Sequence, residues 1–370
     1  MIPVTKPFMP PKEEYLQYLD GIWEREYLTN NGPLVQKLEQ ELKRYLTVPN
    51  ILYVSNGTIA LQIAIKALGL KGEVITTPFS YVATTSSIVW EGCTPVFVDI
   101  DPNTLNMDPA RIEEAITEKT TGILATHVFG NPCDIDAIQN IAEKHDLKVI
   151  YDAAHCFGTQ YKGKSIYEYG DISTASFHAT KLFHTVEGGA VFTNSEELHR
   201  KMRYMRNFGH AGEETFKGVG INGKNSELHA AMGLANLKYI EKILDSRREQ
   251  CGYYYEFLGD FYFENTEGSL QTILINPSAE WNYSYLPLIF EDEVTALRVK
   301  TNLEKEKIYP RRYFYPSLET LDYVQSANVN ISRDISSRIL CMPLFFELSQ
   351  TEIREVYKLI KKVLVSSTQS

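Results

Sequence analysis

Up to about residue 195 the chain alternates short, β-rich apolar runs with stretches of helical periodicity, and few folds satisfy that alternation. The runs are ILYVS (51–55), EVITT (73–77), PVFVDI (95–100), GILATHV (122–128), KVIYD (148–152), ISTASF (172–177) and AVFT (190–193). Near-continuous apolar strands must be covered on both faces, and intervening helices supply the cover. The expected class is therefore α/β, with a mostly parallel central sheet between helical layers. Asp108-Pro109 ahead of ARIEEAI predicts a capped helix. From Asp134 to Lys144, Ile135, Ile138, Ile141 and Ala142 share one helical face. SELHAAMGLANLKYIEKILDSRREQ (226–250) reads as one long helical stretch leading into a second lobe. Ser349-Gln-Thr-Glu352 is a capping box opening a helix that carries Ile353, Val356, Leu359, Ile360 and Val363. At 370 residues, 44% of them apolar, the chain can fill one large core and one smaller one.

The net charge of −10, without a Lys/Arg run, argues against a nucleic-acid partner. No apolar stretch approaches the length of a membrane span, and MIPVTKPFMPPKEEY lacks the apolar centre of a signal peptide. The five cysteines are scattered and without CxxC spacing, which suits reduced thiols and a cytoplasmic location. The eight histidines form no HExxH or Cys/His ladder, so no metal site is expected.

Three segments could carry chemistry. LKVIYD ends in Asp152, where a parallel sheet would mount a functional carboxylate, although a turn or helix cap is an equal reading of that residue alone. Lys181 follows the next strand in Ser176-Phe-His-Ala-Thr-Lys181, ahead of Glu187-Gly188-Gly189; by itself a lysine is most often a solvated surface group. Asn56-Gly57-Thr58 joins a strand to a helix, and free N–H groups at a helix start suit a phosphate.

Together these segments resemble the DegT/DnrJ/EryC1/StrS sugar aminotransferases, within the fold type I pyridoxal-phosphate (PLP) enzymes. The likeness runs through YLTNNGPLVQKLEQEL, SNGTIAL, TTPFSYVATTSSI, PVFVDID, YDAAHCFG, SFHATKLFHTVEGGAVFT, RNFG and GKNSELHAAMGLANL, essentially the whole chain. It implies a fold type I aminotransferase: a large PLP-binding domain with an N-terminal arm (1–245) and a smaller C-terminal α+β domain (246–370). It implies that Lys181 holds pyridoxal 5'-phosphate as a Schiff base and then shuttles a proton as the catalytic base. Asp152 would pair with the pyridinium nitrogen. Gly57, Thr58 and Ser176 would bind the cofactor phosphate, and Asn225 would reach the phosphate of a neighbouring subunit, making a homodimer with shared sites. Tyr81 would stack on the ring, or else pack in the core. His155 would lie beside the ring, as a catalytic group or a structural hydrogen-bonding one. Some relatives carry His in place of the lysine and act as dehydratases, so Lys181 favours transamination.

The same resemblance implies two substrates in turn. L-glutamate would leave as 2-oxoglutarate, and a dTDP-linked keto-deoxysugar would accept the amine. The family likeness points to dTDP-4-keto-6-deoxy-D-glucose aminated at C4 for O-antigen and lipopolysaccharide sugars, with a C3 transaminase as the alternative. A non-catalytic PLP-binding regulator is an alternative of another class. Basic candidates for the diphosphate are Arg311 and Arg312, with Tyr313 among interleaved aromatics, and Lys201, Arg203 and Arg206. For Lys201 and Arg203 a solvated helix face is the competing reading. Gly218-Val-Gly-Ile-Asn-Gly223 matches the dinucleotide fingerprint G-x-G-x-x-G. It follows the polar HAGEETFK rather than a strand, so its glycines are expected to form a loop presenting Asn225 rather than a nicotinamide site.

Overall fold

The computed structural model describes residues 1–263 and 270–367. All seven apolar runs form strands of one sheet. After a short N-terminal strand β1 (Ile2–Pro3) come β2 (Ile51–Val54), β3 (Glu73–Thr76), β4 (Thr94–Phe97), β5 (Thr120–Thr126) and β6 (Lys148–Asp152). A small hairpin, β7 (Gln160–Tyr161) and β8 (Lys164–Ser165), precedes β9 (Ile172–Ser176) and β10 (Gly189–Phe192). The order across the sheet is β2-β10-β9-β6-β5-β3-β4. Only β10 runs against its neighbours; the other pairings are parallel.

Side-chain alternation explains why both faces had to be covered. Leu52, Val54, Leu124 and Ile150 point into a core with Ala60, Leu61 and Ala64 of helix α3 (Gly57–Leu68). Tyr53, Ile123, Ala125, Val149 and Tyr151 face the other side. There they meet Leu34, Val35, Leu38 and Leu42 of α2 (Pro33–Tyr45), which follows α1 (Lys12–Arg25). The buried stretches of most sheet strands therefore read apolar without alternation.

The connecting helices are α4 (Val82–Trp90), α5 (Ile135–Lys144), α6 (Glu196–Arg206), α7 (Glu227–Leu237) and α8 (Ile240–Phe263). Ile240 and Ile243 at the start of α8 belong to the sheet's core, whereas Cys251, Tyr254 and Leu258 belong to a second core. That core also holds Leu286, Leu288, Phe290, Val299, Ile353 and Ile360. The N-terminus lies with these C-terminal elements, because β1 pairs in parallel with Ile308–Tyr309 and Ile2 packs on the second core.

Two helix expectations need correcting. ARIEEAI forms two 3-10 turns, Pro109–Arg111 and Glu113–Ala115, rather than an α-helix. Asp108 caps as expected, accepting from the Ala110 amide at 3.0 Å, but Ile112 is the sole buried apolar anchor in the segment. The 226–250 stretch is broken at Lys238-Tyr239, where both side chains are drawn to Glu14 of α1. Asp134 caps α5 through the Ala137 amide at 3.1 Å. The capping box forms in full, with Glu352 accepting from the Ser349 amide and Ser349 from the Glu352 amide. All five cysteines are buried and unpaired. Among the described residues no helix is long and apolar enough to cross a membrane.

The 218–223 glycines lie in the irregular link between α6 and α7, with no strand ahead of them. A Cβ on Gly220 would stand 2.3 Å from the Gly209 nitrogen, so glycine is required where two passes of this link touch. The strand–turn–helix context of a dinucleotide site is absent here.

Candidate active site

The carboxyl ends of β2, β3, β5, β6 and β9 converge on one side of the sheet, where loops can deliver side chains to a common space. A cavity of about 360 Å3 opens there. Asn56, Gly57 and Thr58 line it from the turn after β2, Ser80 and Tyr81 from the loop after β3, and Asp152 and His155 from the end of β6. Ser176 and Lys181 come from the β9–β10 connection, and Tyr285, Arg311, Tyr313 and Phe314 close it from the C-terminal part.

The turn into α3 is arranged for an anion. Asn56 takes the Ile59 amide on its side chain at 2.9 Å and the Ala60 amide on its carbonyl at 3.2 Å. The Gly57 and Thr58 amides, first in the helix, are left facing outward from the helix start. Neighbouring backbone comes very close: a Cβ on Gly189 would lie 2.5 Å from the Asn56 carbonyl, and one on Gly57 would be 3.0 Å from the Ser176 Cβ. This crowding accounts for the glycines in both SNGT and EGGA.

Asp152 is buried, and burial raises its carboxyl pKa above the ordinary range. Opposing this are a hydrogen bond from Thr84 Oγ1 to Oδ2 at 2.7 Å, the Ala154 amide on Oδ1 at 3.2 Å, and the charge of Lys181. Thr84 Oγ1 is 2.7 Å from Ser80 Oγ, which is 3.1 Å from Thr126 Oγ1. Each hydroxyl has one proton, so the order of donation is forced once Asp152 is ionised. Thr84 donates to Asp152, Ser80 to Thr84, and Thr126 to Ser80. Three buried dipoles then point at one carboxylate, a cooperative arrangement that favours its charged form.

Lys181 lies across the same cavity, its Nζ 3.5 Å from the Tyr285 hydroxyl. Burial pulls its pKa down to about 8, against the opposing pull of Asp152. Near neutral pH roughly a tenth of the amine is thus uncharged and nucleophilic, far more than for a solvated lysine. His155 is held neutral by burial, with the Lys181 charge acting in the same direction. Its Nδ1 accepts from the Phe129 amide at 3.2 Å, which puts the ring proton on Nε2. Tyr81 is 60% exposed, so it does not pack in the core; it stands on the cavity wall with a free face.

Not every expected residue comes to this cavity. The chain turns tightly here, with the Tyr313 amide donating to the Arg311 carbonyl at 3.2 Å, and Arg311, Tyr313 and Phe314 line the cavity while Arg312 does not. Arg312 is held by Glu293 and the Ser337 carbonyl, both at 2.6 Å, and stacks on Tyr315. Lys201 is committed to the Ala67 carbonyl at the end of α3 at 2.6 Å. Asn225 is buried outside the lining, its amide donating to the Tyr53 hydroxyl and the Glu187 carbonyl, each at 2.9 Å. Tyr285 lies in none of the segments that carry the family likeness, and Thr84, although within TTPFSYVATTSSI, is not among the residues to which that likeness gives a role. The Ser80/Thr84 spacing of four, entering a helix beside an apolar strand, is the one sequence signal for the hydroxyl chain.

Comparison with known proteins accords with this geometry. Residues 11–361 match the profile of the DegT/DnrJ/EryC1/StrS aminotransferase family. The chain belongs to that family. A dTDP-4-amino-4,6-dideoxy-D-glucose transaminase from Shigella dysenteriae is 43% identical over 97% of this chain and 98% of its own length. A GDP-perosamine synthase from Escherichia coli O157:H7 is 31% identical over 95% of each. The solved structure of DesI in the presence of its TDP-sugar product superposes with a TM-score of 0.92 at 30% identity, covering 100% of this chain and 94% of that one. The protein is accordingly a PLP-dependent transaminase with a fold type I aminotransferase architecture.

The cavity fits the cofactor of this family. A helix start with two outward amides beside Ser176 suits its phosphate, a buried carboxylate suits its ring nitrogen, and a lysine of depressed pKa suits its aldehyde.

Two outcomes test the site. Thr84→Val removes the donor to Asp152 while keeping the shape. It should weaken PLP binding roughly tenfold or more, the scale of one hydrogen bond to a charged group. The affinity should also begin to fall at a higher pH than in the parent, because the protonated carboxyl is no longer disfavoured. Thr84→Ser should restore both properties, measured by fluorescence titration across pH. Covalent capture of PLP by the cofactor-free protein, trapped with borohydride and read by mass spectrometry, should rise with a midpoint near pH 8. In Asp152→Asn that midpoint should move lower, since the carboxylate raises the Lys181 pKa. A midpoint near that of a solvated lysine would contradict the burial argument.

Proposed function

We propose that the enzyme transfers the amino group of L-glutamate to C4 of dTDP-4-keto-6-deoxy-D-glucose, giving dTDP-4-amino-4,6-dideoxy-D-glucose and 2-oxoglutarate. The reading rests on the 43% identity, along nearly the full length of both chains, to a transaminase named for that product. The fall to 31% for a relative named for a GDP-linked sugar favours dTDP over GDP. The product would serve O-antigen and lipopolysaccharide biosynthesis in the cytoplasm.

In this reading the Gly57 and Thr58 amides and the Ser176 hydroxyl hold the cofactor phosphate, and Tyr81 covers one face of the ring. Asp152, kept ionised by Thr84, holds a proton on the ring nitrogen. Pyridoxal phosphate, when bound, supplies the electron sink for breaking the bond between substrate carbon and hydrogen. The freed Lys181 amine would take that proton and return it on the cofactor side of the transferred nitrogen. Neutral His155 positions rather than titrates, because its environment disfavours a second proton. Arg311 and Tyr313 at the mouth meet the incoming sugar nucleotide. Asn225 completes the phosphate site of a second subunit, so the working unit is a homodimer with shared sites.

PLP-loaded protein incubated with L-glutamate and dTDP-4-keto-6-deoxy-D-glucose should yield, by NMR, a sugar with nitrogen on C4, and Lys181→Ala should abolish turnover. Amination only of the 3-keto isomer, or only of a GDP-linked sugar, would overturn the assignment. For the shared site, Lys181→Ala and Asn225→Ala protomers should each be impaired alone. Mixing and reassociation should recover roughly a quarter of the parent rate, through hybrid dimers with one intact site. No recovery would place Asn225 in its own chain's structure only.

A further inference from the structure

A second pocket, of about 350 Å3, lies between the last turns of α6 and the link that follows it. It shares no residue with the Lys181 cavity. Arg200, Arg203, Arg206, His210 and Lys224 line it, and no carboxylate is among the lining residues. This concentration of positive charge stands out in a chain of net charge −10.

Arg206 is buried and already balanced. Its Nη1 donates to Glu39 at 2.7 Å and to the Tyr53 carbonyl at 2.8 Å, and its Nη2 to Asn31 at 3.1 Å. Its Nε is buried without a partner. Among the described residues Arg200, Arg203 and Lys224 have no carboxylate within ion-pair distance. The Lys224 ammonium is held between the Asn207 and Asn222 side-chain oxygens, at 2.8 and 2.7 Å. Burial lowers its pKa, and the charge of Arg206 lowers it further.

Basic groups at the end of a helix complement its dipole, and that accounts for Arg203 and Arg206. It does not account for Arg200, a turn earlier, or for Lys224, which arrives from a different segment. In the opposite wall, Asn30 and Asn31 are both left-handed, with φ of 63° and 60°. Asparagine is one of the few residues besides glycine that adopt this conformation readily, and the pair sets the shape of that wall.

We propose that this pocket is a second nucleotide site, binding the diphosphate of a nucleoside diphosphate. Three uncompensated cations match the roughly three negative charges of such a group near neutral pH. The Arg200 and Arg203 guanidinium forks suit phosphate oxygens, and the volume lies in the range of small-molecule sites. None of its residues lines the Lys181 cavity of the same chain, so its occupancy does not depend on which sugar is aminated, a question the NMR assay decides.

Calorimetric titration of PLP-loaded protein with dTDP tests it. The wild-type protein should show a class of sites that inorganic pyrophosphate competes for and that weakens with added salt. The double variant Arg200→Gln/Arg203→Gln, at two exposed positions, should melt like the wild type and lose that class or weaken it at least roughly tenfold. Unchanged dTDP binding in the double variant would overturn the proposal, as would displacement by thymidine but not by pyrophosphate.

Discussion

A buried carboxylate in the middle of a parallel sheet is the constraint around which this protein is arranged. Asp152 ends an apolar strand with sheet neighbours on both sides, Thr126 and Thr174 being paired with it in register. An isolated charge there would be intolerable without compensation. The fold answers with one backbone amide, one hydroxyl backed by two more, and a lysine from the far wall. The same arrangement leaves Asp152 and Lys181 in one cavity, oppositely charged yet without a direct ion pair. That geometry is what a cofactor inserted between them would need.

The phosphate end of the site depends on a different physical fact, the close approach of two backbones. Gly189 lies on the one strand that runs against its neighbours, and it packs on the carbonyl of Asn56. Any side chain at that position would push the helix start away from Ser176. The antiparallel β10 thus does more than finish the sheet: it brings the β9–β10 connection, with Lys181, against the Asn56-Gly57-Thr58 turn. The remaining walls come from beyond residue 280, where Tyr285, Arg311, Tyr313 and Phe314 close the cavity over Lys181 and His155. The cavity is thus floored by strand ends of the sheet and walled by segments from much later in the chain.

Much of this was legible residue by residue. The seven apolar runs all became strands of one sheet, because a strand buried on both faces leaves an unmistakable signature. Asp108, Asp134 and the Ser349/Glu352 box cap as their local chemistry requires. What could not be read depended on partners far along the chain. ARIEEAI has the right start for a helix, but only Ile112 finds a core. The 226–250 stretch looks continuous until Glu14 draws Lys238 and Tyr239 aside. Arg312 and Lys201 look like phosphate ligands until Glu293 and the Ala67 carbonyl are seen to hold them.

By itself, then, the sequence determined the layering of the sheet, the turn at Asn56-Gly57-Thr58 and the strand-end position of Asp152. Each follows from periodicity or conformational preference over a few neighbouring residues. Only the tertiary structure decided that Lys181 is a depressed-pKa amine rather than a surface charge, and that Thr84, Ser80 and Tyr285 belong to the site. It also decided which of two adjacent arginines faces the cavity. Those properties arise from desolvation and from contacts between distant segments, 104 residues apart in the case of Lys181 and Tyr285, and no local pattern encodes them.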